Sequence, residues 1–219
     1  MSEIMGRVVG STHLGSPVEL LLAFFALALV PVLAICVTSF TRIVVVLGLL
    51  RAALGSAALP PNSVLVALAI MLTGAIMAPT LSTIERDAVA PYESHQLTAA
   101  QAIQRGAVPL QSFMLRQVRN SDLAVLAKAA RVGPVRRDDV PFMVLAPAFL
   151  VSELRTAFAM GFALALPFAI IDVVVGVILM SLGMFMVSPS SISMPLKLLL
   201  FVAVDGWTLV AGALAASYR

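Results

Sequence analysis

From Phe142 to Val187 the chain carries only three charged residues, Glu153, Arg155 and Asp172, in an otherwise apolar run. A bilayer core about 30 Å thick is crossed by about 20 residues of helix. This run is more than twice that length, so it must fold back or extend beyond the membrane. Pro147 and Pro167 break it, and its apolar blocks do not alternate as the strands of a membrane β-barrel do. The fold class that follows is all-α, a polytopic membrane protein of kinked helical hairpins.

Three other apolar runs support that class. One extends from Val18 to Val37 and resumes at Ile43–Leu50 after the polar interruption Thr38–Arg42. A second runs from Val64 to Ala78 and is closed by Pro79; it is short for a span unless it extends through Leu81. The last runs from Met194 to Ala216, with Lys197 and Asp205 inside it. Of the 219 residues 61% are hydrophobic and 11% charged, with a mean hydropathy of +1.06. An ordinary soluble domain is about a quarter charged. So few charges cannot cover a water-soluble monomer, so lipid or other subunits must cover part of this surface.

Ser82–Val140 is different. It holds 14 of the 25 charged residues, eight basic and six acidic. Helix-like mixtures at Leu97–Gln104, Leu110–Arg119 and Asp122–Arg131, ended by Gly106, Asn120 and Gly133-Pro134, predict a small extramembrane helical domain. Asn120-Ser121-Asp122 reads as an N-cap region. The organisation is then an N-terminal tail (1–17), a first helical hairpin (18–81), the extramembrane domain (82–140), and a second hairpin with a C-terminal helix (141–219). Arg42 and Arg51, with no following acid before Glu85, read as a cytoplasmic loop between the first two spans. The tail and the 82–140 domain then face outward. The first apolar run is longer than a signal-peptide core, so cleavage is not expected.

Composition excludes several classes. A net charge of +3, one tryptophan and two tyrosines give no platform for nucleic acid. Cys36 stands alone in apolar sequence and reads as a small buried hydrophobe. His13 and His95 lie far apart with no ligand spacing around them, so no metal is expected. There is no Walker motif, no Gly-x-Ser-x-Gly and no His-Glu-x-x-His. Neither a cofactor nor catalysis is expected.

The informative residues are charges stranded in apolar sequence, which are costly in lipid and face a protein interior or water path. Asp172 and Lys197 are each alone in their neighbourhoods and opposite in sign. They are expected to pair, within one hairpin or across a subunit interface. Glu153 and Arg155 are two residues apart, on different helix faces, and are candidates for contacts with neighbouring subunits. Met180-Ser181-Leu182-Gly183-Met184-Phe185-Met186 forms the hairpin tip, with Met180 and Met184 on one helix face and Ser188-Pro189 ending the helix. Methionine is unbranched and polarisable and seals against varied shapes. Gly161, Gly176, Gly183, Gly206 and Gly212 could admit close helix contacts.

Several motifs resemble the FliP family. They are Thr38–Gly55 (TSFTRIVVVLGLLRAALG) with Pro60-Pro61-Asn62, and Ser152–Phe158 (SELRTAF) with Leu166-Pro167-Phe168 and Ile171-Asp172. Pro195-Leu196-Lys197-Leu198 and Val204-Asp205-Gly206-Trp207 complete the set. The resemblance implies a pentameric ring of this chain with FliQ and FliR homologues. Together they form an export gate for unfolded flagellar proteins, working with FlhA- and FlhB-type proteins in the bacterial inner membrane at the flagellar basal body. Energy would come from a separate ATPase and the proton motive force. The family's methionine gasket falls on Met184, Phe185 and Met186, where Phe185 departs from the usual three methionines. The family's acid and base fall on Asp172 and Lys197. An injectisome subunit of the SctR type shares most of these motifs, although Phe113–Gln117 with Asp122-Leu123-Ala124 looks more flagellar. A small-solute transporter or a non-conducting anchor are the further alternatives; no inverted repeat favours the transporter.

Overall fold

A computed structural model of the chain describes residues 17–55, 60–133 and 136–218. Most of the tail, His13 and Pro134 lie outside the described residues. The chain divides into two compact units, residues 1–35 and 36–219. In the first, the described part is helix α1 (Pro17–Val37), whose last two residues belong to the second unit. Several of its apolar side chains, Phe24, Phe25 and Leu27 among them, are exposed.

The second unit is built from α2 (Phe40–Ala53), α3 (Asn62–Ile84), a π turn (Glu85–Val89), α4 (Ala90–Glu93), α5 (Ala99–Gln117) and α6 (Asn120–Ala129). A 3-10 turn (Arg137–Asp139), α7 (Phe142–Ser181), α8 (Pro189–Ala203) and α9 (Gly206–Ala216) follow. No strand occurs among the described residues. The protein is an all-α membrane protein. By length and composition α3 with its continuation to Glu93, and α7, can each cross a bilayer; α8 and α9, bent by 65°, can do so as one broken span.

Two cores hold the unit. In the larger, Ile43, Leu47 and Leu50 of α2 meet Leu65 of α3, Ala157 and Phe168 of α7, and Leu214 of α9. The smaller joins Phe113 and Met114 of α5 to Leu145 and Phe149 of α7. Gly161 lets α2 and α7 approach: a Cβ there would stand 2.3 Å from Leu49 Cδ1. Gly206 is equally constrained, its missing Cβ 2.2 Å from the Phe201 ring. Gly176, Gly183 and Gly212 have nothing within 4 Å of that position, so close packing does not require them.

Prolines interrupt less than the sequence suggests. Helix α7 runs unbroken through Pro147 and Pro167 for 40 residues, roughly 60 Å at the α-helical rise. Helix α3 continues past Pro79 to Ile84, with the Ser82 and Thr83 hydroxyls each donating to the Pro79 carbonyl at 2.9 Å. A proline removes one ladder bond and bends a helix; neighbouring helices and hydroxyls supply what it loses. Likewise Leu97–Gln104 and Leu110–Arg119 are not separate: α5 passes through Gly106 and Pro109. Gly106 serves packing there, since its Cβ position lies 3.5 Å from Ala88. Thr98 starts that helix with a reciprocal capping box. Gln101 N–H donates to its hydroxyl, and its own N–H donates to Gln101 Oε1.

The break comes instead inside Met194–Ala216. Asp205 takes a left-handed conformation, φ 51°, and divides the run into α8 and α9. Arg42 and Arg51 are not loop residues either; both lie in α2.

Candidate functional site

Asp172 lies on α7, and Lys197 on α8 beyond the tip. Ser193 and Lys197 are four residues apart, so α8 presents them on one face. Lys197 Nζ donates to Asp172 Oδ2 at 2.6 Å, and Ser193 Oγ donates to Asp172 Oδ1 at 2.6 Å. The ammonium also donates to the Ala53 carbonyl at 3.1 Å. That carbonyl is among the last four of α2, which lack intrahelical donors and carry the negative end of the helix dipole. One buried cation, its side chain 5% exposed, thus ties three helices, while the Asp172 side chain is 47% exposed. The pair borders a cleft of about 520 Å³ between Gly55, Ala165, Ala169 and Ser190.

A second ion pair is buried more deeply. Arg42 of α2 donates through Nε to Glu153 Oε2 at 2.9 Å and through Nη2 to Glu153 Oε1. Arg42 is 3% exposed and Glu153 0%. The other amino group donates to the Ser217 hydroxyl at 2.8 Å and carbonyl at 3.0 Å. Tyr218 lays its ring over the guanidinium, 3.8 Å from carbon to centroid, and its hydroxyl donates to Glu153 Oε2 at 2.6 Å. Burial, with the Glu153 charge beside it, pushes the Tyr218 phenol far above its ordinary range, so it remains a donor. Planar bidentate geometry, stacking and extra donors are what a buried charge pair needs to offset desolvation. Glu153 is therefore engaged inside its own chain.

In sequence Arg42 reads only as a marker of a cytoplasmic loop, and Tyr218 does not stand out at all. Arg42 closes a short polar stretch between two apolar runs and could have been read, like Lys197, as a charge needing a partner. Tyr218 carries no such mark, because only folding brings the chain's last residues to α2.

Arg155 also has an intrachain partner. Asp122, buried in the first turn of α6, accepts from Arg155 Nη2 at 3.0 Å and from Ser152 Oγ at 2.7 Å. The expected N-cap is displaced: Arg119 takes the extended cap conformation. Asp122 lies inside the helix, where the positive end of the dipole favours a carboxylate. Arg155 remains half exposed.

The tip differs from its expected form in two respects. Helix α7 stops at Ser181, so Met184 does not share a helix face with Met180. Gly183 at φ 72° makes the stop: its N–H donates to the Met180 carbonyl at 3.1 Å and the Met184 N–H to the Leu179 carbonyl at 2.9 Å. This paired bonding with a left-handed glycine closes a helix C-terminus. Ser188-Pro189 then begins α8 rather than ending α7. Between them Met184, Phe185 and Met186 stand 42%, 80% and 101% exposed.

The FliP family model matches residues 23–214. The Flagellar biosynthetic protein FliP of Pectobacterium carotovorum is 47% identical over 202 residues, 92% of this chain and 78% of that protein. Its Bacillus subtilis counterpart is 42% identical over 207 residues, 94% of each. The Buchnera aphidicola protein from Acyrthosiphon pisum is 46% identical over 211 residues, and the chain spans 56% of that protein's length.

Proposed function

The chain belongs to the FliP family, and from that premise we propose that it is a core subunit of the flagellar protein export gate. Copies of it form a ring with FliQ and FliR homologues in the bacterial inner membrane, at the flagellar basal body. The ring encloses the channel taken by unfolded flagellar proteins, which FlhA- and FlhB-type export proteins serve. Asp172 and Lys197 hold the root of the α7–α8 hairpin for assembly, and Met184, Phe185 and Met186 supply the gasket at its tip. Arg155, half exposed, contacts a neighbouring subunit as well as Asp122; Glu153, fully buried against Arg42 and Tyr218, reaches no neighbour.

The observation that carries this reading is the tip itself. Three large apolar side chains project at the end of a hairpin whose two helices are tied by the buried Lys197 ammonium and the half-exposed Asp172 carboxylate. Such a group is uncovered in one chain and can be covered by its equivalents around an axis. Exposed residues along α7, including Phe158, Phe162 and Ile170, supply apolar surface for neighbours or lipid. The flagellar names of the relatives favour a flagellar over an injectisome gate.

The mass of the detergent-purified particle, alone and with FliQ and FliR homologues, tests the assembly. Several copies per particle are expected. A single copy under every condition sinks the reading.

A further inference from the structure

A cleft of about 720 Å³ lies between α3 and α5 in the second unit. On α5, Arg105, Pro109, Ser112 and Arg116 follow helical spacing and form one wall. Thr80 and Thr83 of α3 form the other, continued by Arg86 and Asp87 of the π turn. Such turns insert an extra residue into a helix and re-aim its side chains. Arg86 and Asp87 pair at 2.7 Å on the surface. Among the described residues Arg105 and Arg116 make no ion pair. Three cations thus meet one anion around the cleft, Arg105 acting on Asp87 as Arg86 does, and leave an excess of positive charge.

An apolar track adjoins it. Pro79 lines the cleft, and Ala75 and Met71 precede it at four-residue spacing, all exposed. This row leads along the candidate span away from the arginines. Cations and hydroxyls at one end of an exposed apolar helix face suit a molecule with an anionic head and hydrocarbon tails. Basic pockets beside spanning helices bind such lipids, and guanidinium groups match phosphate oxygens in pairs.

We propose that this cleft binds the phosphodiester headgroup of an anionic phospholipid. Arg105 and Arg116 take the phosphate, Arg86 adds positive charge, and the acyl chains follow the Pro79–Ala75–Met71 row. The site is separate from the ion pairs and the tip, so it stands or falls apart from the export reading.

The test is native mass spectrometry of the delipidated full chain in detergent, titrated with phosphatidylglycerol, phosphatidylcholine or inorganic phosphate. Phosphatidylglycerol is expected to be retained at least tenfold better than phosphatidylcholine. Arg105→Gln with Arg116→Gln should abolish that preference, while thermal unfolding in phosphatidylcholine stays unchanged. Should the double variant fail to fold, the exposed single change Arg105→Gln is read instead and should reduce the preference severalfold. Inorganic phosphate should not displace the lipid. Equal retention of both lipids overturns the proposal, as does a preference that survives the glutamine variants. Full competition by phosphate shows a free-anion site instead, and loss of lipid binding when copies associate shows a protein contact; both overturn it.

Discussion

The guanidinium of Arg42 meets the Glu153 carboxylate along its edge and the ring of Tyr218 on its face, with the Tyr218 hydroxyl turned back onto the same carboxylate. Tyr218→Phe keeps the ring over the cation but removes one donor from a fully buried carboxylate. Leaving a buried acceptor short of a partner costs about 1–3 kcal/mol. Tyr218→Ala also removes the ring and should cost more, though less than the roughly 3–5 kcal/mol of a fully buried aromatic, because Tyr218 is partly exposed. Thermal unfolding in detergent should rank the chains wild type, Tyr218→Phe, Tyr218→Ala. Equal stability of all three would show that Tyr218 does not hold the pair.

Lys197 donates to a carboxylate and a helix-terminal carbonyl together, so its site is not symmetric under charge reversal. Asp172→Asn leaves a buried ammonium with only neutral acceptors, the new amide and the Ala53 carbonyl; because Asp172 is half exposed, the cost should be about 1–3 kcal/mol rather than that of a fully buried pair. The exchange Asp172→Lys with Lys197→Asp sets a carboxylate against the Ala53 carbonyl and the negative end of α2. It is expected to assemble no better than Lys197→Asp alone, as read by particle mass. Recovery by the exchange would mean that Ala53 contributes nothing.

Gly161 admits Leu49 across the α2–α7 contact. Gly161→Val should destabilise by about 1–3 kcal/mol, the usual cost of overpacking. Leu49→Ala should recover part of that loss when combined with it. A double-mutant cycle reads the coupling, and strictly additive effects would place the clash elsewhere.

Met184, Phe185 and Met186 contribute little to folding of the single chain, because they are exposed. Replacing all three with glycine should leave unfolding of the isolated chain within about 0.5 kcal/mol of wild type, as for surface changes generally. In the complete complex the same variant should leak ions across the membrane. Tight membranes with the glycine variant would remove the gasket role.

The sequence by itself determined the helical class, the apolar runs and the presence of isolated charges, since each follows from local composition measured against the thickness of a bilayer. It also marked the tip, because glycine and proline act on the backbone where they stand. Where each helix would end was less legible. Pro79, Gly106, Pro147 and Pro167 read as breaks, yet helices pass through them, because neighbouring hydroxyls and packed helices offset the ladder bond each proline lacks. Asp205, which does divide a run, resembles any other polar residue until Phe201 packs against Gly206.

Asp172 and Lys197 were matched by their isolation and opposite signs, and the structure pairs them; the other partners only the tertiary structure decided. Arg42 meets Glu153 from 111 residues away and Ser217 from 175, separations on which local periodicity is silent. Lys197 likewise finds Ala53 because α2 ends where α8 begins to bury its polar face. Local sequence fixes that a charge must be satisfied; the packing of whole helices chooses what satisfies it.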